Sequence, residues 1–488
     1  MTPLYDLKIS NRFIQLPAHF YSRVDPMPLR QPTLVCFNDE LAQDMGIDPT
    51  AKDTWTEIGA GQVLLEGMEP LAMKYTGHQF GMYNPDLGDG RGLLLWESIG
   101  PDGRHWDWHL KGAGKTPYSR FGDGRAVLRS TLREYLCSEA MHYLGIPTTR
   151  ALFMVSAKDP VMRESIESAA TLMRVAQSHI RFGHFEYAAY HQGPDAVRTL
   201  LDHTIDMHFP ELLDLPQPDR YVRWLGDVAA RTARLIARWQ AVGFCHGVMN
   251  SDNMSVIGDT FDYGPFAFLD DFDAGYICNH TDQGGRYAYN RQPQIGFINC
   301  QLLAQSLNGV INEDDLRRAL RRYETTYNAE FESLMTQKLG LYRSAEEDGQ
   351  DMALVMEMFS MLHEHHIDFT LFFRGLSTRH SLGDAPVRDL FVDRSVADKW
   401  LGHYDERLAF ETLPAAEREK AMRAVNPRFI LRNYLAQEAI QDAQQGDYST
   451  AHKLIEVLKH PYDEQPDNSR YAVQPPDWGQ HMEISCSS

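Results

Sequence analysis

The sequence predicts an α+β protein built as two lobes, with an additional N-terminal segment and a helical C-terminal extension. Three observations carry that prediction. Strand-like runs alternate with glycine-rich loops between residues 31 and 176, a helix with one apolar stripe spans Leu225 to Val242 and the chain turns helical beyond about residue 300, and a polar stretch from His246 to Gly264 lies between those helical parts. The expected divisions are 1–60 for the N-terminal segment, 61–178 for the first lobe, 179–330 for the second, 331–463 for the helical extension and 464–488 for an irregular tail.

A chain of 488 residues with 43% hydrophobic content can bury the core of two or three lobes or domains. Its 47 basic against 67 acidic residues leave a net charge of −20, which argues against nucleic acid or an anionic membrane as a general partner. A nucleotide would need a local basic pocket. Six cysteines, at positions 36, 137, 245, 278, 300 and 486, show no Cys-x-x-Cys spacing, so neither a disulfide framework nor a zinc site is indicated. With no apolar signal core, transit-peptide composition or membrane-length apolar run, the expected location is the cytoplasm.

Taken in order, residues 31–37 form the one clear strand of the N-terminal segment. The stretch Tyr75 to Gly92 is rich in glycine and includes Gly88, Gly90 and Arg91. Glycines let backbone N–H groups approach phosphate oxygens, and an arginine adds a fixed positive fork. Trp106 to Lys111 alternates strictly, with Trp106, Trp108 and Leu110 on one face and Lys111 closing the strand. A second glycine- and charge-rich loop carries Asp123 and Gly124. It leads into an amphipathic helix from Ala126 to Met141, stopped by Gly145 and Pro147. Either Glu134 or Glu139 can pair with Lys111: motif order favours Glu134, whereas periodicity places Glu139 nearer the apolar stripe. Two strands follow, Ala151–Ser156 and Ala170–Ala176. Arg174 and Arg181, seven residues apart across a strand exit, have the forked donors for a phosphate clamp. A helix from Leu225 to Val242, capped by Gly243, delivers the chain to His246.

From His246 to Gly264 two groups of hard oxygen ligands, Asp252-Asn253 and Asp262, flank a turn at Gly258-Asp259. Mg²⁺ suits such a set, because it takes one or two protein carboxylates and completes its shell with substrate phosphates and water. The order resembles the kinase catalytic loop, His-Arg-Asp-x-x-x-x-Asn followed by Asp-Phe-Gly. His246 and Asn253 keep the spacing, and Asp262-Tyr263-Gly264 stands for the second motif. The kinase base would fall at Val248, which accepts no proton. Asp252 is the nearby carboxylate able to replace it. The acids at 270, 271 and 273 lack a following glycine and read as turn and capping residues.

Tyr75-Thr76-Gly77-His78-Gln79-Phe80-Gly81, Leu87-Gly88-Asp89-Gly90-Arg91, the run from Leu110 to Arg120, the run from His246 to Met254 and the terminal Cys486-Ser487-Ser488 together resemble the selenoprotein O (YdiU) family, over nearly the whole chain from about Tyr75. The resemblance implies a kinase-like fold that transfers AMP from ATP to Ser, Thr, Tyr or His side chains of proteins, with the nucleotide reversed in its pocket. UMP transfer from UTP is also ascribed to family members. Carried over by motif, Gly88, Gly90, Arg91, Lys111, Asp123, Gly124, Arg174, Arg181 and Asp262 hold the nucleotide. Asp252 is the base, and Asn253 and Asp262 hold Mg²⁺ or Mn²⁺.

Cys486 matches the family's selenocysteine position, which implies a redox role with a thiol in place of a selenol. Its best partner by sequence is Cys278, sixteen residues after Asp262 and beside His280, a neighbour able to favour the thiolate. Two other functions compete with protein nucleotidyl transfer. A small-molecule phosphotransferase of the aminoglycoside-kinase type is opposed by Val248, and an inactive scaffold by the retained Lys111, Asn253 and Asp262.

Overall fold

A computed structural model describes residues 8–342, 350–480 and 482. Its organising element is an antiparallel sheet. The strands are β1 (Tyr21–Arg23), β2 (Thr33–Phe37), β3 (Leu71–Met73), β4 (Gly77–Gln79), β5 (Met82–Asn84), β6 (Gly92–Ile99), β7 (His105–Lys111), β8 (Ala126–Val127), β9 (Arg150–Met162), β10 (Ile166–Ala176), β11 (Phe244–His246) and β12 (Phe266–Phe268). Seven of them run in the order β1-β3-β6-β7-β10-β9-β2, with β8 added on β10; β4–β5 and β11–β12 are separate two-stranded ribbons. The segment before residue 60 therefore contributes two strands to this sheet, and also two short helices, α1 (Asp39–Asp44) and α2 (Lys52–Gly59), which the sequence reading lacks.

Alternation along β7 has the outcome expected of it on one side. Trp106, Trp108 and Leu110 are buried with Trp55 and Trp96, and Trp96 stacks on Trp108 at 4.3 Å between ring centres. Each such ring removes on the order of 150–250 Å² from water, several kcal/mol at about 25 cal/mol per Å². The opposite face, with Asp107, His109 and Lys111, is polar and equally buried. It turns toward α3 (Leu128–Tyr143) and the cleft.

Beyond the sheet the chain is mainly helical, with α4 (Phe182–Tyr187), α5 (Pro194–His208), α6 (Asp219–Val242), α7 (Gln292–Ser306) and α8 (Glu313–Leu339). The helix expected from Leu225 starts six residues earlier, and Gly243 ends it in the left-handed conformation at φ 71° that glycine adopts without strain. α6 packs along α8. The helices Asn433–Gln444 and Ser449–Leu458 return to pack on α3, so the C-terminal part covers the longest helix of the sheet region. Residues 466–472 and 477–479, expected to be irregular, form 3₁₀ turns, with Tyr471 buried against the core. Among the described residues no helix is long and apolar enough to cross a membrane.

Candidate active site

Register places the first set of site residues. Lys111 lies opposite Gly92 on β6 and Leu172 on β10, and Arg174 lies opposite His109, so the cations of adjacent strands share one face. Lys111 Nζ donates to Glu134 Oε2 on α3. Burial pushes the Lys111 pKa down, partly offset by Glu134. Glu139, the alternative partner, instead takes Arg150 (2.7 Å to Nη2) and the backbone N–H of Ala151 (2.9 Å).

The second set comes from the loop after β11. His246 Nε2 meets the carbonyl of Phe261 at 3.1 Å, which closes the loop on itself. A single 3₁₀ turn, Ser251–Asn253, presents Asp252 and Asn253, and Asn253 Nδ2 donates to the carbonyl of Val248 at 3.0 Å. Asp262 is a non-glycine residue at φ 60°, a conformation that persists only where the surroundings enforce it. Two guanidiniums do so: Arg174 Nη1 reaches Oδ1 at 2.5 Å and Arg181 Nη1 reaches Oδ2. Burial works against ionisation of Asp262, yet Arg181 and Arg174 outweigh it and hold the carboxyl well below the usual range. Arg181 also donates to the carbonyl of Asp252 at 2.8 Å, which ties the two acidic positions together.

Asp252 is 6% exposed, and burial pushes its carboxyl up to about 7, against the opposing pull of Arg181. Gln79 Nε2 donates to its Oδ2 at 3.1 Å, while Oδ1 is buried and has no hydrogen-bond partner. The hairpin β4–β5 reaches it because position 77 is glycine: a Cβ there would stand 2.8 Å from Asp252 Oδ1.

Lys111, Arg174, Arg181, Asp252, Asn253, Asp262 and Gln79 open onto one cleft of about 520 Å³. Every residue expected to touch nucleotide or metal lines it: Gly88, Gly90 and Arg91 from the first glycine-rich loop, Asp123 and Gly124 from the second, then Lys111, Arg174, Arg181, Asp252, Asn253 and Asp262. Asp123 is engaged there by Arg163, at 2.7 and 3.0 Å. Arg163 lines the cleft and carries no signal in sequence, since it sits at the turn between β9 and β10. His109 and Asp89 are further lining residues not singled out from sequence; Asp89 is flanked by the two glycines of its loop.

Among the described residues no three or more His, Cys, Asp or Glu side chains form a metal cluster. Asn253 and Asp262 line this cleft together, and an amide oxygen with a carboxylate is a donor set that fits a hard cation completing its shell with phosphate and water. Cys278 differs from its expected environment. It is 5% exposed, its Sγ lies 3.4 Å from the carbonyl of Cys245, and burial raises its thiol well above the usual range, so its surroundings oppose a thiolate. Cys486 lies outside the described residues.

Residues 3–459 match the family model described as "Protein adenylyltransferase SelO". The chain is 52% identical over 489 residues to "Protein nucleotidyltransferase YdiU" of Vibrio vulnificus (strain YJ016), covering 99% of each chain. Proteins of the same description from Pseudomonas putida (strain GB-1) and Myxococcus xanthus (strain DK1622) are each 50% identical, covering 100% of both chains. With a cleft that gathers cationic side chains beside carboxylate and amide groups, and with relatives matched end to end, this chain belongs to the SelO family of protein adenylyltransferases.

Proposed function

We propose that this chain transfers AMP from ATP to hydroxyl side chains of other proteins in the cytoplasm, releasing pyrophosphate, and that its two lobes form a kinase-like frame, 61–178 and 179–330, around the cleft. The observation that carries the reading is the position of Asp252. It is the carboxylate with an unpartnered oxygen in a cleft otherwise dominated by cations, while Val248 occupies the place of a kinase base.

In the proposed reaction the acceptor hydroxyl oxygen bonds to the α-phosphorus of ATP, and the bond from that phosphorus to the bridging oxygen of the β-phosphate breaks. Asp252 takes the hydroxyl proton, and pyrophosphate leaves with the bonding electrons. Lys111, Arg91, Arg174 and Arg181 receive the phosphates, Lys111 being kept in register by Glu134. Asn253 and Asp262 would hold a Mg²⁺ or Mn²⁺ ion, which supplies charge neutralisation at the phosphates. UTP is the second candidate donor. A Cys278–Cys486 bridge belongs to the same reading; with Cys278 buried, it requires the segment around Cys278 to open first.

Parallel incubations with α-labelled and γ-labelled ATP, divalent metal and a protein mixture test the reading. Label is expected on protein from the α position only. Label from the γ position alone would identify phosphoryl transfer instead.

A further inference from the structure

Behind Arg174, the polar face of β7 holds contacts to which the proposed reaction gives no role. Asp89 lies in the first glycine-rich loop. Its Oδ2 accepts the backbone N–H of Met73 (3.1 Å), its Oδ1 accepts the hydroxyl of Tyr75 (3.3 Å), and Oδ2 stands 3.1 Å from His109 Nε2. The other ring nitrogen of His109, Nδ1, is 3.0 Å from Arg174 Nη2. A guanidinium only donates, so Nδ1 is the acceptor and the ring proton sits on Nε2, where Asp89 receives it. Arg174 in turn reaches Asp262 at 2.5 Å and Glu134 at 3.4 Å.

The ring has no freedom to do otherwise. His109 is 1% exposed and stacks on His179 at 4.8 Å, and His179 is fixed by Asp107 through its backbone N–H at 2.8 Å. Gly92 leaves the necessary space, because a Cβ there would lie 2.3 Å from His109 Cε1. Burial, aided by Arg174 and Arg181, outweighs Asp89 and keeps the imidazole below its usual pKa.

We infer that His109 is a positioning residue: Asp89 sets its tautomer, and the bare Nδ1 aims Arg174 at Asp262, so that the glycine-rich loop and the phosphate end of the cleft move as one. The inference rests on the proposed reading of the cleft as the nucleotide site. It also makes His109 act through Arg174 and not on the substrate directly, in the manner of the groups behind metal-binding histidines.

The test is a double-mutant cycle read as ATP affinity and as KM against kcat, with thermal unfolding as a check on folding. His109→Leu is expected to weaken ATP binding about tenfold or more, the size of a hydrogen bond to a charged group, with the KM for the acceptor protein unchanged. His109→Asn, which keeps an acceptor near the Nδ1 position, should recover most of the loss. Asp89→Asn should be mild because its oxygen still accepts from Nε2, whereas Asp89→Leu should resemble His109→Leu. In an Arg174→Ala background, His109→Leu should add nothing. Additive losses, or an Asn variant no better than Leu, would overturn the inference. Nitrogen-15 spectra of histidine-labelled protein, compared with His109→Asn, give a readout that does not depend on activity: the Nε2–H tautomer is expected, and an Nδ1–H tautomer contradicts the assignment. If Arg174→Ala itself leaves ATP binding intact, the nucleotide reading of the cleft fails, while the tautomer result still judges the contact.

Discussion

Gln79 Nε2 donates to Asp252 Oδ2 at 3.1 Å, so the end of a three-residue strand rests on the carboxylate proposed as the base. The amide is oriented from its other side by Asn84 Nδ2, which donates to Gln79 Oε1 at 3.1 Å. Gln79→Ala should lower kcat several-fold with little change in ATP affinity, because it frees Asp252 to rotate without touching the phosphate cations. Asn84→Ala should reproduce a weaker form of the same defect. Steady-state kinetics beside a direct ATP-binding measurement separate the two quantities, and equal losses in both would place Gln79 on the nucleotide.

Asp252 and Asp262 should fail differently. Asp252→Ala is expected to cut kcat by about 10²–10⁴-fold, the usual value of a general base, with ATP binding retained. Asp262→Ala should abolish transfer and weaken metal-dependent ATP binding. It also leaves Arg174 and Arg181 without their shared carboxylate, so its melting temperature should fall relative to Asp252→Ala. A full kcat in Asp252→Ala would remove the base assignment.

The two glutamates of α3 give a contrast within one helix. Glu134→Gln leaves Lys111 buried without its ion-pair partner, and loss of one member of a buried pair costs about 3–5 kcal/mol. It should lower both stability and ATP affinity. Glu139→Gln leaves buried Arg150 without its charged partner, while the amide oxygen still accepts from Ala151, so stability should fall with ATP affinity retained in the folded fraction. Thermal unfolding and ATP binding on both variants provide the comparison.

That contrast also shows where sequence reasoning stopped. Periodicity could not choose between Glu134 and Glu139 because α3 is covered on one side by β9 and β10 and on the other by the helices Asn433–Gln444 and Ser449–Leu458. A helix buried nearly all round has no single apolar stripe to read. That Lys111 and the loop from His246 to Asp262 belong to one cleft was legible, since both lie in short, ordered motifs. The clamp of Arg174 and Arg181 on Asp262 was not, because it depends on the register of β10 against β7 and on the entry to α4. Gln79 lies in the motif Tyr75–Gly81, but the three-residue strands of its hairpin are too short to show a period. The burial of Cys278 was hidden for a related reason: the groups that cover it, Cys245 and Pro265, are distant in sequence.

Lys338 offers a test of the helical core alone. It is 3% exposed at the end of α8, its ammonium lies 4.1 Å from the centre of the Phe373 ring, and burial pushes its pKa down to about 7 from an ordinary 10.5. Below pH 7 both folded and unfolded chains carry the charge, and the folded state bears the full cost of burying it. Between pH 7 and 10.5 the unfolded chain binds more protons than the folded one, so stability contributed at this site rises with pH. Lys338→Met should therefore stabilise the protein by on the order of a few kcal/mol below pH 7, and the advantage should shrink toward pH 10. Denaturant unfolding of both proteins across that range checks it; a pH-independent difference would show that Lys338 stays charged in the fold.

The most direct measurement of the central claim is the mass of an acceptor protein after incubation with ATP and divalent metal, together with the identity of the small product. A mass increase of one AMP residue per modified side chain is expected, with pyrophosphate formed in equal amount and both slowed in Asp252→Ala as its kcat falls. An increase of one phosphate with ADP as the product would contradict it.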